Sequence, residues 1–554
     1  MPQTPRELAD QFHEEWLAHN PFTATMYGIP GHDAEVPDDS EAGEAAWREQ
    51  VDAALAEARS VDTSGLDEPD RVTLACLIES AERELVGLDL AASEHTVTPM
   101  PFGGPAVLFA VAARTVLGDA QAAGDYVDRL RASGQWLDQL TERLRIGAAK
   151  GRLPVAPLVA QSIEWAEAIL AQDVPAAITT PAPPSGWDGA DAWQDQRDTA
   201  AREVVQPALA RWVELLRDLL PDARPAERPG LAHLPKGEAD YAAAIRLHTT
   251  LPLTPDELHQ TGLDEIELLE RRAVELGAQI GLSDLSAVLD AIRASAGQVS
   301  PEDAMAAARE AVRRAEARAG EVFPQPLPPP CEVSPMPDVV AASGMAPHYS
   351  PPRLDGGRPG TYWFNTARPT AGTGWDLEGV AFHEAVPGHH LQLSRLQLLT
   401  ELPALQRQRS LTVFSEGWGL YAEQLAEEMG LYSNTESLLG AVTASLMRAA
   451  RLVVDTGLHA YGWSREKAVQ FFTDHVPMPR EFCASEVDRY IIMPGQALAY
   501  LTGKLELLRL REDARRQLSG AFSLSTFHAA VLDSGSLPLP VLRDHLSAWT
   551  ESLL

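Results

Sequence analysis

The first 320 or so residues are dominated by alanine, leucine, glutamate and arginine, and this composition constrains the fold more than any other feature of the chain. Segments such as AAWREQVDAALAEARSV have the composition and periodicity of amphipathic helices. In LTPDELHQ, the residues Thr254, Pro255 and Glu257 predict a helix start with proline at the first helical position. We therefore predict a helical lobe over residues 1–320.

Two proline-rich segments interrupt this helical pattern. The first, residues 173–189, predicts a surface loop, and the second, residues 323–337, marks a change of architecture. Beyond it, TYWFN at residues 361–365 has the character of a short strand, and helix-forming sequence resumes at Leu377. The sequence thus predicts a predominantly α-helical (α+β) fold with a small sheet. A second lobe over residues 321–554 would be integrated with the first.

Chain length indicates the number of hydrophobic cores, and net charge limits the classes of partner. A chain of 554 residues exceeds the size of a single hydrophobic core, so more than one core or lobe is expected. The net charge of -34 would repel a phosphate backbone and an anionic membrane surface. The apolar stretch at residues 96–113 is interrupted by prolines and glycines, and predicts a loop leading into a buried helix. We therefore expect neither a nucleic-acid nor a membrane partner.

Cysteine usage and the first residues bear on the compartment. Cys76, Cys331 and Cys483 are far apart and odd in number, so they form neither a disulfide framework nor a paired metal site. The segment MPQTPRELADQFHEEW has no basic region followed by an apolar one, as a secretory signal would. These observations predict a cytoplasmic location.

Two segments of the chain share the spacing H-E-x4-H. FHEEWLAHN contains His13, Glu14 and His19, and FHEAVPGHH contains His383 and Glu384 followed by a histidine at the same distance. On a continuous helix, residues six apart lie roughly 120° apart around the axis and about 9 Å along it, which is too far to bind one ion. Because nothing in EEWLA breaks a helix, we predict that the first pair of histidines is structural.

The second segment carries Pro387 and Gly388 between its histidines. Proline removes a backbone donor and crowds the preceding turn, while glycine adopts dihedrals that other residues avoid. A π-type bulge of two residues here would bring His389 to the place of the second histidine in H-E-x-x-H. Either His389 or His390 could be that ligand; the insertion favours His389 and leaves His390 for substrate or for supporting a ligand. The alternative is a polar helix end that faces solvent.

A catalytic zinc site needs a third protein ligand, and FSEGWGLYAEQLAEEMGL offers one. Gly417 and Gly419 follow closely after Glu416 and lower the helix propensity by about 1 kcal/mol each, which calls for a reason. Close approach of another backbone, such as the HEAVPGHH helix, would provide it. We predict Glu416 as the third ligand. Glu423, two turns along the same face, would support a ligand or replace Glu416.

Three motifs, HEAVPGHHLQ, SEGWGLYAE and EVDRYIIMPGQALAYLTGK, together resemble the DUF885 family of bacterial proteins, which is similar to the gluzincin metallopeptidases. The likeness extends to residues 20–33 and 535–546, and so covers essentially the whole chain. It implies a multi-helix, metallopeptidase-like fold with a small sheet bordering an active-site cleft. It also implies one Zn2+ per chain bound by His383, His389 and Glu416 in a catalytic lobe, with Glu384 as the catalytic carboxylate.

These residues predict a zinc metallopeptidase, a hydrolase that cleaves peptide or peptide-like amide bonds in small peptides. Glu384 would accept a proton from the zinc-activated water and deliver it to the leaving amine. The oxyanion would need a further donor, for which Tyr490, Arg489 and Tyr500 are candidates. Structural alternatives remain, since Arg489 could pair with an acid and Tyr500 could be plain core.

The substrate main chain could add to the TYWFN segment as a strand, and Arg368 could anchor a substrate carboxylate. An edge strand with a surface arginine explains the same residues equally well. The alternative function is a catalytically inactive, metallopeptidase-like protein that binds a metal or a peptide. The intact Glu384 argues against it, because a decayed site often loses its base first.

Overall fold

The computed structural model describes residues 3–337, 341, 346–352, 358–366 and 374–554. Within them the chain is predominantly α-helical with a three-stranded sheet, which confirms the predicted fold class at that level. The chain divides into two compact units: residues 1–61, 80–240 and 462–465, and residues 62–79, 241–461 and 466–554. Residues 241–320 thus belong with the unit that contains the second lobe, whereas the sequence placed a boundary near residue 320.

The first unit is built from helices around an aromatic and aliphatic core that includes Tyr126, Trp193 and Trp212. A π-helical segment, Ala201–Val205, joins two of its helices. The helices up to residue 249 are α1 (Pro5–His19), α2 (Pro21–Tyr27), α3 (Glu41–Ser60), α4 (Glu68–Leu90), α5 (Ala106–Ala112), α6 (Ala120–Ala149), α7 (Ala156–Leu170), α8 (Ala176–Thr179), α9 (Ala190–Ala200), α10 (Gln206–Leu219) and α11 (Gly237–Thr249).

Helix α1 contains the first H-E-x4-H segment and is uninterrupted. Thr4 caps its start, and the helix continues to His19. His13 is buried and stacks with Trp16, while the half-buried ring of His19 stacks on Trp47 at a centroid distance of 4.6 Å. The two imidazoles are therefore packed against different tryptophans, in agreement with the predicted structural role.

The second unit contains the sheet and the remaining helices. The helix start predicted at Thr254 is confirmed, with Pro255 at the first helical position and a capping box to Glu257, as is the return of helix at Leu377. The elements are α12 (Pro255–Gln279), α13 (Leu285–Ser295), α14 (Pro301–Arg318), β1 (Glu332–Pro335), β2 (His348–Ser350), β3 (Thr361–Phe364), α15 (Leu377–Glu384), α16 (His389–Leu398), α17 (Ala404–Gln408), α18 (Thr412–Glu428), α19 (Thr435–His459), α20 (Arg465–His475), α21 (Arg480–Ile492), α22 (Ala499–Leu518), α23 (Leu524–Leu532) and α24 (Leu539–Ser552).

The sheet has the strand order β1-β3-β2, with β1 parallel and β2 antiparallel to β3. The TYWFN segment therefore forms the central strand, and both of its sides are already hydrogen-bonded. The prediction that substrate adds to this segment as a strand is wrong, because a strand can be added only at a free edge. Arg368, predicted as the anchor of a substrate carboxylate, lies outside the described residues.

Close backbone packing joins α18 to α22. A Cβ atom on Gly417 would lie 2.6 Å from the Cα atom of Gly503, and one on Gly503 would lie 2.0 Å from the carbonyl oxygen of Val413. The predicted close approach at Gly417 is thus confirmed, but the partner is α22 and not the HEAVPGHH helix. This packing fixes the part of α18 that carries Glu416.

One helix among the described residues, α19, is long and apolar enough to cross a membrane by length and composition alone. However, 72% of its most apolar window is buried within the structure, as in the core helix of a globular protein. The apolar stretch at residues 96–113 ends in the short buried helix α5, as the sequence predicts.

Candidate metal centre

The backbone between the two histidines of FHEAVPGHH leaves the helix and then returns to it. It departs at Ala385, with φ -104° and ψ -106°, and α16 starts after Gly388, with φ -81° and ψ -132°. The Val386–Pro387 bond is cis. The amide of His390 donates to the carbonyl of Ala385, five residues earlier, at 3.1 Å. The predicted interruption is confirmed, but it is a break between two helices and not a π-type bulge within one, because the four residues 385–388 lie outside both helices.

Close contacts across this turn require a glycine at position 388. A Cβ atom at this position would lie 1.9 Å from the carbonyl oxygen of His383 and 2.5 Å from that of Phe382. No other residue fits without moving the backbone. The turn brings the imidazoles of His383 and His389 together, with ring centroids 4.7 Å apart and planes at 86°.

Glu416 of α18 completes a group of three donors. Its Oε2 atom lies 3.4 Å from Nε2 of His383 and 3.8 Å from Nε2 of His389. The three ligand atoms all lie within 4.8 Å of one another. Tetrahedral coordination with bonds of about 2.0–2.1 Å separates ligand atoms by about 3.3 Å. The group therefore fits one zinc ion after small side-chain adjustments, and its two nitrogens and one oxygen are donors that zinc accepts.

Glu423 orients the first of these histidines. Nδ1 of His383 donates to Oε1 of Glu423 at 2.8 Å, and both side chains are buried. Because this hydrogen bond uses Nδ1, the ligand atom of His383 is Nε2, which lies on the side of Glu416. A Cβ atom on Gly419 would lie 2.5 Å from Cε1 of His383, so this glycine of α18 leaves room for the imidazole. The ligand-supporting role predicted for Glu423 thus agrees with the contact that the structure shows.

The rings of His389 and His390 have different hydrogen-bond partners. Nδ1 of His389 is buried and has no hydrogen-bond partner among the described residues. The ring of His390 is held at both nitrogens, by the Tyr349 hydroxyl at 3.1 Å and by the Pro329 carbonyl at 2.8 Å, and burial lowers its pKa. His389 is therefore the member of the donor group. His390 ties α16 to β2 through Tyr349.

Charges within the group favour a bound cation. Burial alone would lower the pKa of His383, but its hydrogen bonds to Glu416 and Glu423 raise it to about 10. Burial alone would raise the pKa of Glu416, yet the hydrogen bonds from both histidines hold it well below its usual range. Burial raises the pKa of the half-buried Glu384, although the charges of the histidines oppose this shift. Three carboxylates thus surround two imidazoles.

Tyr490 and Arg489, predicted as donors to a reaction intermediate, are both engaged by Glu486. The buried hydroxyl of Tyr490 donates to Glu486 at 2.6 Å and accepts from Nε of Arg451 at 2.9 Å. Arg489 donates to Glu486 at 3.0 Å and to Gln496 at 2.6 Å. Pairing of Arg489 with an acid was the structural alternative considered from the sequence.

Tyr500 is the tyrosine that interacts with the donor group. It is half-buried, and burial together with the negative charge of Glu416 raises its pKa. The guanidinium of Arg451 lies over its ring, 4.5 Å from the centroid. Sequence reasoning missed Arg451 and Glu486. Two arginines, Arg448 and Arg451, within the apolar run SLMRAARLVV were the available signal, because a buried charge needs a partner or a function.

Two solved structures resemble this one over nearly the whole chain. One is described as "the putative lipoprotein from Colwellia psychrerythraea"; it is 26% identical, has a TM-score of 0.89 and is matched over 99% of each chain. The other is described as "a putative lipoprotein of unknown function from Shewanella oneidensis" and shares the fold at 17% identity and a TM-score of 0.76, over 98% of this chain and 99% of that one.

These descriptions contradict the predicted cytoplasmic location, because lipoproteins are membrane-anchored or secreted. The cysteines of this chain are free, as predicted, but a few unpaired cysteines occur in proteins of any compartment. A compartment is set by targeting or lipid attachment, which the composition of the folded chain does not encode.

No curated protein matches the chain. The family model described as "Bacterial protein of unknown function (DUF885)" matches residues 21–546. That range includes the three donor residues, Glu384 and the glycines that make room for them. The chain belongs to the DUF885 family.

Proposed function

We propose that this protein is a zinc-dependent hydrolase that cleaves peptide or peptide-like amide bonds in small peptides. The observation that carries the proposal is the meeting of three donor atoms, from the buried His383 and His389 and the half-buried Glu416. Glu384, half-buried and next in sequence to a donor, is a carboxylate outside that set of three. Two histidines and one glutamate are a donor set of zinc metallopeptidases, which supports the gluzincin-like assignment.

The number of ligands favours a catalytic over a structural site. Structural zinc sites are closed by four protein ligands, whereas catalytic sites have three and keep a position open. The group found among the described residues has three. A bound zinc ion supplies Lewis-acid activation of water and polarisation of a carbonyl group.

Glu384 is the proton carrier in this proposal. Its carboxylate interacts electrostatically with His383, His389 and Glu416, so it lies beside the donor group. A carboxylate in this position accepts a proton from the attacking water and delivers it to the leaving amine. The hydrogen bond from His383 to Glu423 holds the imidazole while this transfer takes place.

Tyr500 is the donor that we assign to the developing oxyanion. Unlike Tyr490, whose hydroxyl is bound to Glu486, Tyr500 is half-buried and interacts with Glu416. A preorganised hydroxyl stabilises the negative charge that develops as the carbonyl is attacked. Tyr490 and Arg489 then act indirectly, by positioning Arg451 and Gln496 around Tyr500.

The proposal includes a metallopeptidase-like cleft bordered by the sheet. Tyr349 of β2 contacts His390, and the charge of Glu384 influences the pKa of Tyr362 in β3. Both strands are therefore near the turn that carries the histidines. This supports a substrate path between the sheet and α18.

Two measurements test this function. Elemental analysis of the purified protein should find about one zinc per chain, and mass spectrometry of a diverse peptide pool should detect new termini that disappear with a chelator. Zinc restored after dialysis should recover cleavage. An inactive binding protein would retain the metal and bind peptides but release no new termini, and a protein that takes up no divalent metal would refute the zinc assignment.

A further inference from the structure

A buried cation next to the donor group lacks one of its partners. Arg451 of α19 is 6% exposed. Its Nε donates to Tyr490 and its Nη2 donates to Glu486, both at 2.9 Å. Its Nη1 is buried and has no hydrogen-bond partner among the described residues. A guanidinium group with an unsatisfied buried donor is costly, so this atom calls for a ligand.

The charges around Arg451 do not balance. Glu486 is shared by two guanidinium groups, those of Arg451 and Arg489, and also accepts the Tyr490 hydroxyl. Asp455 accepts hydrogen bonds from the amide of Gly495 and the hydroxyl of Tyr241. Burial raises the pKa of Asp455 to about 7, although the positive charge of Arg489 opposes this shift, so the negative charge of Asp455 is incomplete near neutral pH. Among these partners, Arg451 and Arg489 therefore share one fully charged carboxylate, that of Glu486.

This positive cluster is close to the donor group. The Arg451 guanidinium lies 4.5 Å from the ring centroid of Tyr500, and Tyr500 interacts with the charge of Glu416. One turn earlier on α19, Arg448 lies 3.9 Å from Glu423, which holds His383. The same helix therefore approaches the donor group at two successive turns.

We propose that Nη1 of Arg451 binds a carboxylate group of the substrate beside the ring of Tyr500, in a recess that Arg489 supports through Glu486, and that this group is the C-terminal carboxylate of a peptide. The inference rests on the proposed function and narrows it to removal of residues from the carboxyl end. The two N–H groups of Nη1 are the donors that remain, and hydrogen bonds from a guanidinium group to a carboxylate are charge-assisted. The ring that lies against this guanidinium, that of Tyr500, is half-buried.

The reaction that follows is hydrolysis of the last peptide bond. The C–N bond breaks, the oxygen of one water molecule joins the carbonyl carbon, and its protons are shared between the new carboxyl group and the leaving amine. The products are a free amino acid and a peptide one residue shorter. No oxidant, reductant or further reactant is needed.

Calorimetry on the zinc-loaded Glu384→Gln protein measures the affinity of the recess for probe peptides without cleavage of the peptides. The probes are N-acetyl-Ala-Ala-Phe as the free acid, the same peptide as its C-terminal amide, and N-acetyl-Ala-Ala-Glu as the amide. We expect the free acid to bind about 10- to 100-fold more tightly than the Phe amide, because hydrogen bonds to charged groups are the strong ones. Equal affinity of these two probes would overturn the proposal.

Substitutions of single arginines test which residues cause the preference for the free acid. In the Glu384→Gln protein, the second substitution Arg451→Gln should abolish the preference for the free acid, while the zinc content stays unchanged. Arg489→Gln should weaken the preference for the free acid. This variant provides the test if the Arg451→Gln protein, in which a buried residue is changed, does not fold. Arg480→Gln, at the start of the same helix as Arg489 and paired with the exposed Glu466, should leave the preference intact. A preference that survives both test variants would place the carboxylate elsewhere.

The remaining outcomes separate this inference from the function on which it rests. Tight binding of the Glu amide would assign the recess to an acidic side chain instead of the C-terminus. If wild-type protein cleaves acid and amide alike and binds both equally, hydrolysis stands and the recess is refuted. If the free acid binds preferentially and no zinc-loaded wild-type protein releases phenylalanine, the recess stands and hydrolysis is refuted.

Discussion

The two H-E-x4-H segments of this chain have the same spacing and opposite structural outcomes. In α1, an unbroken helix packs His13 in a core and His19 against Trp47, while Glu14 is exposed. In FHEAVPGHH, the backbone break between α15 and α16 places the imidazoles of His383 and His389 with centroids 4.7 Å apart. The comparison teaches that residue type and spacing do not make a site, and that the backbone between the histidines does.

The surroundings of the second segment complete the difference. Gly388 and Gly419 leave the space in which the turn and the His383 ring fit. Glu416 and Glu423 of α18 then contact both nitrogens of His383. In α1, each histidine stacks on one tryptophan ring. A metal centre therefore requires a second helix that brings carboxylates to the break.

The largest effect should come from the glutamate that follows the first histidine in each segment. Glu384→Gln should lower kcat/KM for a cleaved peptide by about 10²- to 10⁴-fold, since it removes the general base. Zinc content should not change, because Glu384 is not one of the three donors. Glu14→Gln, at the matched position of the exposed face of α1, should retain full activity. Equal activity of Glu384→Gln and wild type would refute the assigned role.

Filling the space in the turn tests whether the break makes the site. Gly388→Ala places a methyl group 1.9 Å from the backbone carbonyl of His383, so the backbone must move. We expect the free energy of unfolding to fall by about 1–3 kcal/mol and zinc to be lost. Gly124→Ala is the matched control, since this exposed position in α6 has no atom near the added methyl group. Full zinc content in Gly388→Ala would show that the second segment does not depend on its break.

Removing the charge behind His383 should have a smaller effect. Glu423→Gln keeps the shape of the side chain but weakens its hydrogen bond to Nδ1 of His383. Zinc affinity, measured by competition with a chromophoric chelator, should fall by about 10- to 100-fold. Glu427→Gln on the same helix, which breaks only an ion pair with Arg272, should leave the affinity unchanged. If both variants bind zinc equally, the supporting role of Glu423 is wrong.

Features set by neighbouring residues could be predicted from the sequence. The helix start at Thr254 follows from local capping and proline signals, and the return of helix at Leu377 follows from helix-forming sequence; both are confirmed. The glycines beside Glu416 indicated close packing, because a helix rarely carries two glycines without a steric reason. The steric reason is present at both positions: the backbone of α22 at Gly417 and the ring of His383 at Gly419.

Features set by pairing between distant segments could not be predicted. The central place of TYWFN in the sheet depends on β1 and β2, which flank it in space. The contacts of Arg451 with Tyr490 and Tyr500 depend on how α19, α21 and α22 pack. The hydrogen bond from Tyr490 to Glu486 is local, since the two residues are four apart on α21. Arg451, in contrast, reaches Glu486 and both tyrosines from another helix.

The smallest effect should come from the structural histidine. Burial lowers the pKa of His19 below its usual value of 6.5, although nearby carboxylates oppose this shift. As the pH falls below about 6.5, the unfolded chain therefore binds the proton before the folded chain does, so the free energy of unfolding declines in acid. His19→Phe keeps an aromatic ring on Trp47 and removes this titration. Urea unfolding at pH 7 and pH 5 should show a slightly smaller acid loss in the variant, with unchanged zinc content and activity. An identical acid loss in both proteins, or a loss of zinc in the variant, would remove the distinction drawn between the two segments.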